Sequence, residues 1–180
     1  VYEHIKGKNL AALMTEQPDK RDKYIDRFID LQLDVLSKKC PELTLLSDKL
    51  TRSICGTDFA ATVRYDLLDR LNDMPKHTKI CHGDFNPSNI VISDKNAPFI
   101  LDWSHAAKGN GAADAAGTYL YFLYGGENET AEQYLNGICE KSGTERGYVE
   151  RWFPIVAAAK SAKAGKDQKK FYTSVVEKYI

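Results

Sequence analysis

Three oxygen-bearing side chains stand within a short segment of this chain: Asp84, Asn89 five residues later, and Asp102. The first two lie in ICHGDFNPSNIVI, residues 80–92, and the third in LDWSHAAKG, residues 101–109. Asn89 immediately precedes the apolar run Ile90, Val91, Ile92, and Asp102 immediately follows the run Phe99, Ile100, Leu101. A turn-rich link from Ser93 to Pro98 joins the runs, so together they read as a β-hairpin. Antiparallel pairing puts the start of one strand beside the end of the next. Asn89 and Asp102 are therefore expected as neighbours at one end of the ribbon. A carboxylate and an amide oxygen are hard donors that suit Mg²⁺, which takes few protein ligands and fills its shell with water and phosphate oxygens. Asp84, on the loop entering the hairpin, is placed to accept a proton from a substrate hydroxyl beside a metal-bound phosphate.

The elements that must position these groups are mostly helical. A polar turn at Lys6 to Asn9 leads into a short helix, Leu10 to Met14. A long helix is expected over 19–38, with Tyr24, Ile25, Phe28, Leu31 and Val35 at helical spacing. Cys40 and Pro41 end it, and a second follows over 58–73 with Val63, Leu67, Leu68 and Leu71 on one side. After the hairpin, helices are expected over 112–124, 129–141, 145–163 (bent or interrupted at Pro154) and 167–179. The expected fold class is α+β, mostly helical, with one small hairpin carrying the polar loop. Trp103 is read as a core residue, and His82 as a hydrogen-bonded structural histidine.

An aspartate, an asparagine five residues on and a second aspartate opening the next segment is also the pattern of the protein-kinase catalytic loop. Gly83 replaces the arginine of that loop, and Asp102-Trp103-Ser104 stands where D-F-G is found. More specifically, HGDFNPSNI followed by ILDWSHAAKGNGAADAA resembles the aminoglycoside phosphotransferase and choline kinase-like small-molecule kinases. The resemblance implies a protein-kinase-like C-terminal lobe, with Asp84 as catalytic base, Asn89 and Asp102 as magnesium ligands, and His82 and Asp114 as supports of the catalytic loop. It also implies that VYEHIKGKNL is the hinge, whose backbone at Glu3, His4 and Ile5 receives the adenine of ATP. On this reading residues 1–9 are a hinge or linker and 10–180 the lobe. Within the lobe, 80–117 forms the catalytic core and 118–180 the helical region that shapes the acceptor site. The family's N-terminal lobe, with its phosphate loop and lysine, is expected upstream of Val1. Asn86, Ser104 and the Asn110-Gly111 pair depart from the family's usual residues without removing a proposed ligand or the base.

The implied activity is transfer of the γ-phosphate of ATP, with Mg²⁺, to a hydroxyl of an aminoglycoside, choline or similar small molecule. The chain alone is expected to be a poor enzyme. A catalytically silent kinase-like binding module and a metal-dependent hydrolase are the alternatives. The 180 residues balance 25 basic against 25 acidic groups, which gives no reason to expect nucleic acid as a partner. No run reaches the roughly 18 apolar residues of a membrane span, and no leader is apparent, so the expected location is cytoplasmic. The four cysteines form no CxxC pair and read as reduced thiols. From Glu150 onward seven basic residues face three acidic ones, an excess of +4. That excess reads as a solvated helix face, and it argues against polycationic aminoglycosides unless Glu127, Glu129 and Glu132 supply an acidic wall.

Overall fold

Residues 5–180 are described by a computed structural model, and the element order follows from hydrophobic spacing and breakers. Strand β1, Gly7–Asn9, enters helix α1, Leu10–Glu16, where the Asn9 side chain caps the Ala12 N–H at 2.8 Å. A single 3₁₀ turn at Pro18–Lys20 leads into α2, Arg21–Ser37, which buries Ile25, Phe28, Ile29, Gln32, Val35 and Leu36. Helices α3, Leu46–Cys55, and α4, Ala61–Asp73, follow. Strand β2, Lys79–Cys81, then delivers the polar loop, and β3, Ile90–Ser93, and β4, Pro98–Ile100, form the hairpin. Strand β5, Ala107–Gly109, opens the helical remainder: α5, Gly111–Tyr124; α6, Asn128–Ser142; α7, Arg146–Glu150; α8, Phe153–Ser161; and α9, Lys166–Tyr179. The fold is α+β and mostly helical, as the sequence implied.

Two small antiparallel ribbons frame the loop. Strands β3 and β4 pair with Ile90 opposite Ile100 and Ile92 opposite Pro98, and β1 adds to the other side of β3 with Gly7 opposite Ser93. The expected polar turn at Lys6 to Asn9 is thus partly a strand, because its backbone completes the edge of β3. Strands β2 and β5 pair with Cys81 opposite Ala107. This second ribbon, joining residues far apart in sequence, brings the end of β2 beside the segment that follows Asp102.

Several local expectations are corrected. A helix at Leu46–Cys55 was not foreseen, although Leu46, Leu50 and Ile54 recur at four-residue spacing and Ile54 is fully buried. The expected interruption near Pro154 is present: α7 ends at Glu150 and α8 starts at Phe153, with Pro154 in its first turn, where proline is tolerated as it is not in a helix interior. Trp103 lies at the surface with 43% of its area exposed rather than in the core. Its indole N–H donates to the Ile100 carbonyl at 2.9 Å, and its ring leans on His82.

The core is centred on Phe28, Phe85, Phe122 and Tyr134, whose rings meet at 4.8 to 6.0 Å. Phe85 directly follows Asp84, so the polar loop is anchored in this cluster; burying such a ring contributes about 1.5–3 kcal/mol. Among the described residues no helix is long and apolar enough to cross a membrane.

Candidate active site

Asp84 lies between the hairpin and helix α8, half-buried, and three side chains donate to its carboxylate. Asn86 Nδ2 reaches Oδ2 at 3.1 Å, Asn89 Nδ2 reaches the same oxygen at 3.2 Å, and Lys160 Nζ reaches Oδ1 at 3.3 Å. Both amides also hold the Asp84 carbonyl, at 3.1 and 2.9 Å. Asn86 Oδ1 meanwhile accepts the Ser88 N–H at 3.0 Å, capping the 3₁₀ turn Pro87–Asn89 that leads into β3. Asn86 therefore does more than stand in for a usual family residue: it fixes both the turn and the Asp84 carboxylate.

With its Nδ2 committed to Asp84, Asn89 keeps its Oδ1 for another partner. The Asn89 carbonyl accepts the Leu101 N–H at 2.8 Å, so Asn89 and Asp102 stand at the same end of the hairpin, as the antiparallel register requires. Asp102 adopts the left-handed conformation, φ 57°, and its Oδ1 accepts the Ser104 hydroxyl at 2.5 Å and the Ser104 N–H at 3.4 Å. The Ser104 hydroxyl, then the Ser104 N–H, hold the Asp102 carboxyl below its ordinary value. Its Oδ2 has no hydrogen-bond partner among the described residues. Both free oxygens are hard donors on half-exposed or exposed side chains, which fits magnesium. Among the described residues no cluster of three or more His, Cys, Asp or Glu side chains is placed to hold a metal. A metal here would rest on Asn89 and Asp102 and few other protein atoms.

His82 ties the two segments together. Its Nε2 lies 2.9 Å from the Leu101 carbonyl and its Nδ1 3.3 Å from the Asp84 N–H, so the ring donates from Nε2 and accepts at Nδ1. The ring is fully buried. Gly83 sits at φ 84°, where a Cβ would lie 2.6 Å from the His105 carbonyl oxygen, so only glycine allows the loop to turn this close to the Asp102 segment.

Below the loop lies a buried polar network. Asp114 Oδ1 accepts the Gly83 N–H at 2.7 Å, and its Oδ2 accepts Gln32 Nε2 at 3.2 Å. The Tyr134 hydroxyl donates to Gln32 Oε1 at 2.5 Å, and the Thr118 hydroxyl donates to the Phe85 carbonyl at 2.7 Å. Burial pushes the Asp114 carboxyl above its ordinary value, against the opposing pull of the Gly83 and Gln32 donors. The cap of α5 is Asn110, whose Oδ1 accepts the Ala112 N–H at 3.0 Å, so Asp114 is free to serve the loop. Burial first, and the charge of Asp84 second, push the Tyr172 phenol up to about 12. Burial raises the Cys81 thiol far above its ordinary value, and its Sγ donates to the Asn110 carbonyl at 3.5 Å, as an inert packed thiol does.

Of the residues singled out from sequence, Asp84, His82, Asn89, Asp102 and Asp114 are brought together around one loop. Of the expected hinge, Glu3 and His4 lie outside the described residues, and Ile5 is half-buried just before β1. The sequence reading does not anticipate Lys160, Gln32, Thr118 and Tyr134: Lys160 and Thr118 touch the loop from helices, and Gln32 and Tyr134 support it through Asp114. Lys160 was read as part of a solvated face.

Several solved structures share this fold. The chain superposes on the choline kinase LicA of Streptococcus pneumoniae with a TM-score of 0.67 at 15% identity, over 98% of this chain and 67% of that one. LicA in complex with AMP gives 0.65 at 16% identity, over 97% and 66%. An ethanolamine kinase of Plasmodium vivax gives 0.61 at 12% identity, over 99% and 63%. The chain thus spans about two thirds of the length of these kinases. Among curated proteins none matches it. The model of the phosphotransferase enzyme family, APH, matches residues 1–150 and ends before α8. With that match covering most of the sequence, and the loop, hairpin and Asp114 arranged as described, the chain belongs to the phosphotransferase enzyme family.

Proposed function

We propose that the chain is the C-terminal lobe of a small-molecule kinase that transfers the γ-phosphate of ATP to an alcohol. It works with an N-terminal lobe that supplies the phosphate-covering loop and lysine. One observation carries the reading: Asn89 donates its amide N–H to the Asp84 carboxylate while leaving its own oxygen free, beside a second free oxygen on Asp102. A base and a pair of hard ligands are thereby coupled through one residue. Similarity to a kinase solved with AMP supports nucleotide as the donor.

In this mechanism Asp84 accepts the proton of the acceptor hydroxyl as that oxygen bonds to the γ-phosphorus, and the bond to the ADP oxygen breaks. Asn89 Oδ1 and Asp102 would hold magnesium, which when bound would neutralise charge on the phosphate oxygens. Asn86 and Asn89 keep the base aimed. His82 and Asp114 hold the loop, so most of the rate gain is positioning that is complete before substrate arrives. The backbone from Glu3 to Ile5 is the proposed adenine contact, and the helices beyond Tyr119 enclose the acceptor.

Asp84→Asn in the full-length protein tests the assignment. ADP release is expected to fall by about 10²–10⁴ with Mg·ATP affinity unchanged in calorimetry. Undiminished turnover would remove Asp84 from the mechanism.

A further inference from the structure

Resting on that reading, we propose that the acceptor alcohol carries no positive charge and that Lys160 enforces the restriction. An acceptor hydroxyl must come within hydrogen-bond reach of Asp84 to lose its proton. Lys160 Nζ already stands 3.3 Å from Asp84 Oδ1, on a side chain only 23% exposed. The other two donors to this carboxylate are neutral amides, so among the described residues Lys160 is its one ion-pair partner.

The lysine is not a surface group that can swing aside at no cost. Helix α8 carries it, with Ile155, Ala157 and Ala158 fully buried, and that helix packs against α3, α4, α5 and α9. Its stem runs along α5, with Cε 3.5 Å from where a Cβ on Gly117 would lie. The ammonium is thus presented to the cleft by the rigid part of the fold.

Three of the acids that could compensate are committed elsewhere, while Glu129 is exposed. Glu127 pairs with Arg21, and Glu132 pairs with Arg146 at 2.7 Å, so two of the three residues considered for an acidic wall are neutralised. Asp114 is buried and tied to Gly83 and Gln32. The local field at the base is that of an ion pair rather than of a free carboxylate. An amino alcohol whose ammonium lies two carbons from its hydroxyl finds the attraction of the Asp84 carboxylate offset by Lys160, so the desolvation of that charge goes uncompensated and costs on the order of tenfold in kcat/KM. An uncharged alcohol meets no such penalty.

The test compares choline with dimethylbutanol, its uncharged carbon isostere, as acceptors for the full-length protein with Mg·ATP, read as ADP release. The isostere is expected to exceed choline in kcat/KM by about tenfold or more. Lys160→Met should shrink that ratio to within about threefold, and Lys160→Arg should preserve it. Preference for choline in the unaltered protein overturns the inference, and that result needs no variant to fold. An unchanged ratio in a folded Lys160→Met protein overturns it as well, as does turnover of ethanolamine with neither member of the pair used. If no alcohol releases ADP and calorimetry detects no Mg·ADP binding, the phosphotransferase reading itself fails and takes the inference with it.

Discussion

The carboxylate of Asp114, in the first turn of α5, holds the backbone N–H of Gly83 at 2.7 Å, and so a helix thirty-one residues away sets the path of the loop that carries Asp84. The contact is buried, and Gln32 bonds the other carboxylate oxygen. Removing the carboxylate would strand two donors, each costing about 1–3 kcal/mol. Asp114→Ala is therefore expected to lower the thermal midpoint measurably and to reduce kcat more than it changes nucleotide affinity. Thermal melts combined with steady-state kinetics check this, and a wild-type midpoint would count against it.

Asp114 also makes stability depend on pH. Its carboxyl is raised in the fold by burial, so the fold binds the proton more tightly than the unfolded chain does. Between the unfolded and folded values unfolding releases a proton, and stability falls as pH rises. The contribution is greatest below the ordinary aspartate range, near pH 4, and is lost by the time pH has passed the raised value. Relative to Asp114→Asn, the unaltered protein should lose stability as pH rises from about 4 and then level off. Urea unfolding of both proteins across that range gives the answer, and a difference that is flat or rises with pH contradicts the assignment.

Gly83 combines a positive φ with a backbone contact that leaves no room for a Cβ. Gly83→Ala is expected to cost on the order of 1–3 kcal/mol and to abolish most activity by pushing the loop away from His105. Chemical denaturation measures the first effect. Retained stability with full turnover would show that the loop relaxes freely.

On the metal side, the Ser104 hydroxyl orients Asp102 without being a proposed ligand itself. Asp102→Ala should weaken Mg·ADP binding strongly, and Ser104→Ala should weaken it by roughly 10–100-fold. Neither residue is buried, so thermal midpoints should stay near the original. Calorimetry at several magnesium concentrations distinguishes this from a purely local role for the pair, in which affinity would not change.

Asn86 shares the Asp84 carboxylate with Asn89 but keeps no oxygen for a metal, since its Oδ1 caps Ser88. Asn86→Ala should lower kcat about tenfold while sparing Mg·nucleotide affinity, whereas Asn89→Ala should damage both. Equal effects of the two substitutions on nucleotide binding would argue against this division of labour.

The residues 80–102 could be read as a site from sequence because their geometry is local. A hairpin register follows from two apolar runs and the link between them, and it places Asn89 beside Asp102 whatever surrounds it. The same locality explains why α2, α5, α6 and α9 were foreseen within a few residues: each carries an uninterrupted apolar stripe ended by Gly, Pro or polar breakers. Lys160, Gln32, Thr118 and Tyr134 could not be found that way, since their partners lie on other elements and no spacing rule connects them. Lys160 was the most misleading, for one cation in a lysine-rich stretch looks like any other until packing turns it inward. Trp103 misled in the opposite sense, because its size suggests burial while its position at the mouth of the cleft keeps it exposed. Residue order alone determined which groups could do chemistry here and which of them a hairpin must bring together. The tertiary structure decided what charge surrounds Asp84, because the electrostatics there depend on distances between helices that sequence separation does not encode.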